Sequence, residues 1–268
     1  MIRIFFALNL ILAMSSTYSQ EMDFVYDIEL HAKIENVSVD INGNIYLVSD
    51  KGLIYKYSSM GDSLMAFSPR KNAAISLIEA GSGLRIFVFY QDLQEYILLD
   101  RYFRSSPHYS FNPAPIGFAA LATISTDNNL WLLDQTDFSL KKYNILTNIL
   151  EIETPLDLII DTDNFNISFM KEYQNFLFVS DPQLGLFMFD NIGNYKKKIP
   201  VKGIEYFNFS GDRMYYMKDG YLTFMNLYNG ALTGIPLPSK GKFNFALVNG
   251  DKVYLISDHS LKIYEIIK

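Results

Sequence analysis

The 268-residue chain holds three histidines, His31, His108 and His259, and no cysteine. A hydrolytic triad needs a base such as histidine beside its nucleophile. These three fall in different stretches with no shared spacing, and no serine sits in a Gly-x-Ser-x-Gly elbow. The expectation is a chain that is not an enzyme and has no catalytic residue. Oxygen donors for a hard cation gather once, as Asp157, Asp161, Asp163 and Asn164 in TPLDLIIDTDNFN. The spacing lacks the glycine and distal glutamate of an EF-hand, so the reading is a hydrated acidic loop with no metal or cofactor. Six further aspartates, Asp50, Asp92, Asp134, Asp181, Asp219 and Asp258, recur roughly every 40 residues. They either ring a central cation or hydrogen-bond their own turns. Most follow a strand directly, which favours the turn reading.

One stretch suits partner recognition. SSPHYSFNPAPIGF, residues 105–118, carries three prolines together with His108, Tyr109 and Phe111. Tyr109 and Phe111 are expected to anchor a protein partner or to fold back onto the rim. Trp131, the only tryptophan, sits inside an apolar run and is expected in the core.

The elements that position these residues repeat. VSVDINGNIYLVSDKGLIYKY, residues 37–57, reads as strand, turn, strand, turn, strand. Val37, Val39 and Ile41 alternate with polar residues, as a strand with one buried face does. Asn42-Gly43-Asn44 and Ser49-Asp50-Lys51-Gly52 supply the tight reversals, and a fourth strand fits at Ser63–Phe67. Copies follow at Leu130-Trp131-Leu132-Leu133-Asp134, at residues 175–189, at residues 211–224 and at residues 249–264, with a weaker one at residues 81–99. Four strands per unit at this period predict an all-β, six-bladed propeller of four-stranded antiparallel blades. The last unit has three strands. The unattached strand Phe24–Leu30 is expected to complete it and close the ring. No long stretch shows helical periodicity with caps.

Residues 1–19 pair Arg3 with the apolar run Ile4–Met14 and small residues at 15–19, the pattern of a secretory signal peptide. The run is too short to span a membrane. Residues 20–268 then form one propeller domain, expected as a monomeric ring with no membrane span after cleavage. Export without any cysteine points to the periplasm or cell surface of a Gram-negative bacterium. A net charge of −6 argues against nucleic acid or an anionic membrane as partner. With 21 Phe and 19 Tyr, aromatics are expected to fill the wedges between blades.

Asn42-Gly43-Asn44-Ile45-Tyr46-Leu47-Val48-Ser49-Asp50, repeated along the chain, resembles the NHL and related repeats of six-bladed β-propellers. The resemblance implies the fold. The metal-ligand pattern of lactonase-type members and the WD dipeptide are both missing from the sequence. The expected role is a non-catalytic interaction module binding envelope proteins. A small-ligand or glycan binder using the funnel of the ring is the alternative, and a metal-dependent lactonase-like hydrolase ranks third.

Overall fold

A computed structural model describes residues 20–71, 73–111, 114–160, 165–239 and 241–267. Six four-stranded antiparallel sheets follow one another along the chain, with no helix among the described residues. The first blade is β2 (Ile34–Val39), β3 (Ile45–Ser49), β4 (Ile54–Tyr57) and β5 (Ser63–Phe67). The second is β6 (Leu77–Glu79), β7 (Arg85–Tyr90), β8 (Glu95–Asp100) and the two-residue β9 (Tyr109–Ser110). β10 (Ala119–Ile124), β11 (Leu130–Asp134), β12 (Ser139–Asn144) and β13 (Ile149–Pro155) form the third. β14 (Phe169–Tyr173), β15 (Phe176–Asp181), β16 (Gly185–Asp190) and β17 (Tyr195–Ile199) form the fourth. β18 (Phe207–Ser210), β19 (Arg213–Lys218), β20 (Tyr221–Asn226) and β21 (Leu232–Pro236) form the fifth. The sixth combines β22 (Phe245–Asn249), β23 (Lys252–Ile256) and β24 (Ser260–Ile266) with β1 (Met22–Glu29), which pairs with β24 from Met22↔Ile266 to Glu29↔Ser260.

The blades are β-propeller blades. The first strand of each lies against the first strands of its neighbours around an axis, and the fourth strand forms the rim. Both faces of a blade meet another blade, so its middle strands are buried on both sides. Ile45 to Ser49 has five buried residues in a row. Six apolar clusters fill the six wedges. One joins Tyr46 and Val48 to Ile86 and Val88, and another joins Leu247 and Tyr254 of the sixth blade to Ile34 and Leu47 of the first. Trp131 is fully buried in the wedge between the third and fourth blades. This sandwiching changes one expectation. Val37 and Ser38 are both buried, and β2 stops at Val39 because Asp40 caps the turn. Its carboxylate accepts from the N–H groups of Asn42 and Asn44, each at 2.9 Å, and from the Tyr46 hydroxyl at 3.0 Å. Ile41 is left in the turn, exposed to solvent instead of in the strand's buried face.

The ring has two unlike faces. Links between blades and the turns from second to third strand lie on one, the link face. Turns from first to second and from third to fourth strand lie on the other, the turn face. The leader, residues 1–19, lies outside the described residues.

Candidate functional site

The first strands enclose a channel that opens into a funnel on each face. The link-face funnel has a volume of about 850 Å³ and draws residues from all six blades. Its wall is aromatic on one side. Phe169 of β14, Tyr206 just before β18 and Phe245 of β22 form an arc, with ring centroids 5.0 Å and 5.4 Å apart. Burial pushes the Tyr206 phenol well above its ordinary value, so it stays neutral and can serve as a hydrogen-bonding group. The opposite wall is small, with Ser76, Ala120 and Ala122. Exposed charges ring the mouth: Lys33, Glu35, Glu205, Lys242 and Asp258. Such a site can stack a planar or apolar group inside and hold polar groups at the mouth.

The turn-face funnel holds about 530 Å³. Glu79 of β6 lies inside it, buried, and its carboxylate accepts from Thr123 Oγ1 at 2.9 Å and Ile124 N at 2.8 Å. Lys171 of β14 reaches Glu79 across two blade positions at 3.0 Å. Glu172 accepts from Ser125, from Thr126 N at 3.0 Å and from Trp131 Nε1 at 2.8 Å. Three blades are thus joined by two carboxylates in the neck of the ring. Fully hydrogen-bonded buried charges of this kind fix geometry. Neither pairing was visible in the sequence, because each depends on which first strands end up adjacent.

The residues singled out in the sequence fall as follows. The segment 105–118 is not a free link: Tyr109 and Ser110 pair with Tyr96 and Glu95 as the outer strand of the second blade. Tyr109 is 40% exposed and stacks on Tyr96 at 5.2 Å. His108 Nδ1 lies 3.2 Å from the Glu95 carboxylate. Lys71, hydrogen-bonded to Glu95, holds that carboxyl below its usual range. Phe111 is only 7% exposed and packs against Phe89, Tyr96 and Tyr143, so its side chain belongs to the wedge between the second and third blades. Just beyond β9, Phe111 N donates to Gln94 O at 3.2 Å, and its ring seats between Phe89 and Tyr143.

The turn aspartates do not converge on the axis, since second–third turns sit one strand out from it; only Asp258 borders the funnel. Two of them act as turn caps in full. Asp134 accepts from Gly117 N, Phe118 N, Thr136 N and Lys141 Nζ at 2.7–3.0 Å. Burial opposes its ionisation, but Lys141 and the three N–H groups outweigh that and hold the carboxyl at about 2. Asp181 likewise accepts from Gln183 N, Leu184 N and Asn166 N. In the first blade Ser49 caps the turn in place of Asp50. Of the acidic loop, Asp161, Asp163 and Asn164 lie outside the described residues. No group of three His, Asp or Glu residues positioned to hold a metal occurs among the described residues. His31 and His259 are exposed near one another on the link face, where Leu30 N donates to His259 O at 2.8 Å. No histidine lines either funnel.

Together these features define a six-bladed β-propeller with a funnel on each face. Comparison with solved structures gives the same architecture. Virginiamycin B lyase from Staphylococcus aureus is similar with a TM-score of 0.64 over 92% of this chain and 100% of that one, at 10% identity. A variant of that lyase with a histidine replaced by alanine is catalytically inactive. BamB from Moraxella catarrhalis is similar with a TM-score of 0.54 at 11% identity, over 91% of this chain and 97% of that one. YCF48 bound to D1 peptide gives 0.55 at 10% identity, over 91% and 97%. Identities this low carry the fold and nothing finer. No protein-family profile matches the chain. No curated protein matches it either.

Proposed function

We propose that this protein is an exported, non-catalytic propeller that binds a protein partner in a bacterial envelope assembly through the link-face funnel. The observation that carries this reading is the funnel itself: six blades hold it rigid, and it combines an aromatic arc with a charged mouth. A peptide side chain can stack on Phe169, Tyr206 and Phe245 while its backbone meets Lys33, Glu35, Glu205 and Asp258. His108 and Tyr109 stay in the proposal as rim contacts on the second blade. Phe111 does not, because its side chain is committed to the core. The non-catalytic reading is supported by the position of the histidines. The similar lyase is inactive without one of its histidines, whereas none here faces a funnel. Among the similar folds, YCF48 is bound to a peptide, which agrees with a binding role.

A second reading rests on the same funnel. Aromatics and carboxylates converge there, as a glycan or small-ligand site requires. Crosslinking and recovery of the protein from envelope membranes separates the two. One dominant protein partner, lost in Tyr206→Ala and Phe245→Ala, supports the first reading. Recovery of the protein alone, with a glycan or small ligand displaced by the same substitutions, supports the second and ends the first.

A further inference from the structure

The turn face carries a feature that the funnels do not use. Each third–fourth turn starts with Ser58, Asp100, Asn144, Asp190 or Asn226 and places a large apolar residue two positions on. Those residues are Met60, Tyr102, Leu146, Ile192 and Tyr228, all exposed, with Leu146 88% and Tyr228 76% open to solvent. In every case the backbone N–H of the apolar residue donates to the side-chain oxygen of the first residue, at 2.8–3.2 Å. Five of the six blades thus present one apolar tip on the turn face. The sixth position has no such turn. There the chain ends meet, with Ile267 N donating to Glu21 O at 2.9 Å, and Ile267 is exposed as well.

We propose that the turn face rests on the surface of a lipid bilayer with neutral headgroups, with Tyr102, Leu146, Ile192 and Tyr228 inserted among the lipids. Four observations favour this occupant. The tips are spaced one per blade around a rim. A protein interface concentrates its energy in a contiguous, desolvated centre, whereas a lipid surface accepts each side chain separately. The N–H of every tip residue is already bonded within its turn, so entry into an apolar layer leaves that donor satisfied. Two tips are tyrosines, which suit the boundary between apolar and wet layers. Beside Tyr102, the Arg101 guanidinium lies 4.8 Å from its ring, placed to meet a headgroup phosphate, while that of Arg104, at 5.7 Å, pairs with Asp100. The proposal is independent of what the opposite funnel binds, and it orients that funnel away from the membrane.

The native Trp131 is fully buried, which leaves the surface free for a reporter. Residues 20–268 hold all six blades and are the form to test, with phosphatidylcholine vesicles containing brominated lipid. Leu146→Trp on the turn face should shift its emission to the blue and be quenched by the bromines. Leu158→Trp, on a link of the opposite face and 90% exposed in the parent, should show neither. Leu146→Ser and Ile192→Ser should each lower partition into vesicles by about tenfold, with unchanged circular dichroism. No response at Leu146→Trp, or the same response at both positions, would overturn the proposal. So would a Leu146→Trp signal that changes only on adding envelope proteins, since the occupant would then be a protein.

Discussion

Turns between second and third strands put Lys51, Asp92, Asp137, Gln183, Asp219 and His259 into solvent on the link face. Turns between third and fourth strands put Met60, Tyr102, Leu146, Ile192 and Tyr228 into solvent on the other. Both sets use polar side chains to satisfy the turn backbone, yet they finish it with opposite chemistry. On the link face the capping carboxylates at Asp134 and Asp181 are buried and also tie the adjacent link, so the cap is a structural anchor. On the turn face the caps are exposed and local, and the residue they position points outward. The same local device therefore serves stability on one face and presentation on the other. The contrast predicts that disruption on the link face costs folding energy, whereas disruption of a turn-face tip costs only binding.

The largest effect should follow from Asp134→Asn. An amide keeps one acceptor oxygen, so either Gly117 N and Lys141 Nζ or Phe118 N and Thr136 N lose their acceptor, and Lys141 stays buried beside a neutral group. We expect a loss of about 3 kcal/mol at neutral pH, read from urea midpoints. Asp134 also sets a pH signature. Its folded carboxyl, at about 2, lies below the unfolded value near 3.8. Its contribution is therefore complete above roughly pH 4 and is lost as pH falls towards 2. The gap between parent and variant should close over that window; a gap that holds constant down to pH 2 would mean the anchor is not electrostatic. Glu79→Gln comes next, at about 2 kcal/mol, because Lys171 loses its charged partner in the neck. Equal unfolding midpoints for Glu79→Gln and the parent would show that the neck is indifferent to this charge.

Much of the architecture was legible because its unit is local. Turn residues and apolar runs recur at one period, and each unit can be read without the others. What was not legible is what the ring imposes from outside the unit. Ile41 alternates correctly with Val37 and Val39, yet Asp40 ends the strand before it. Phe111 looks like a surface anchor until the ring brings Phe89 and Tyr143 of neighbouring blades against it. Glu79 and Lys171 meet across 92 positions of sequence, which only closure of the inner strands brings about. The apolar tips were a different case. Their signal, a Ser, Asp or Asn followed two residues later by a large apolar residue, also occurs elsewhere, as at Asn44–Tyr46 and Ser76–Ile78, so only the fold picks out the five turn copies.

Smaller effects probe the turn face. Asn226→Ala removes the acceptor for Tyr228 N and Asn229 N, at 3.0 Å and 3.1 Å, in a solvated turn. The expected loss is about 1 kcal/mol. Leu146→Ser and Tyr228→Ser delete side chains that make little of the fold, and their unfolding midpoints should move by no more than about 0.5 kcal/mol. That small number separates the two faces most sharply. An exposed Leu or Tyr adds little to the core, and its repetition at the third–fourth turns leaves these side chains open to a contact outside the ring. If Leu146→Ser instead destabilised the ring by as much as Asp134→Asn, the tips would be part of the blade packing and the division between an anchoring face and a presenting face would fail. With stability unchanged and vesicle partition reduced, the tips act only in the bound state, and the turn face is the one that meets the membrane.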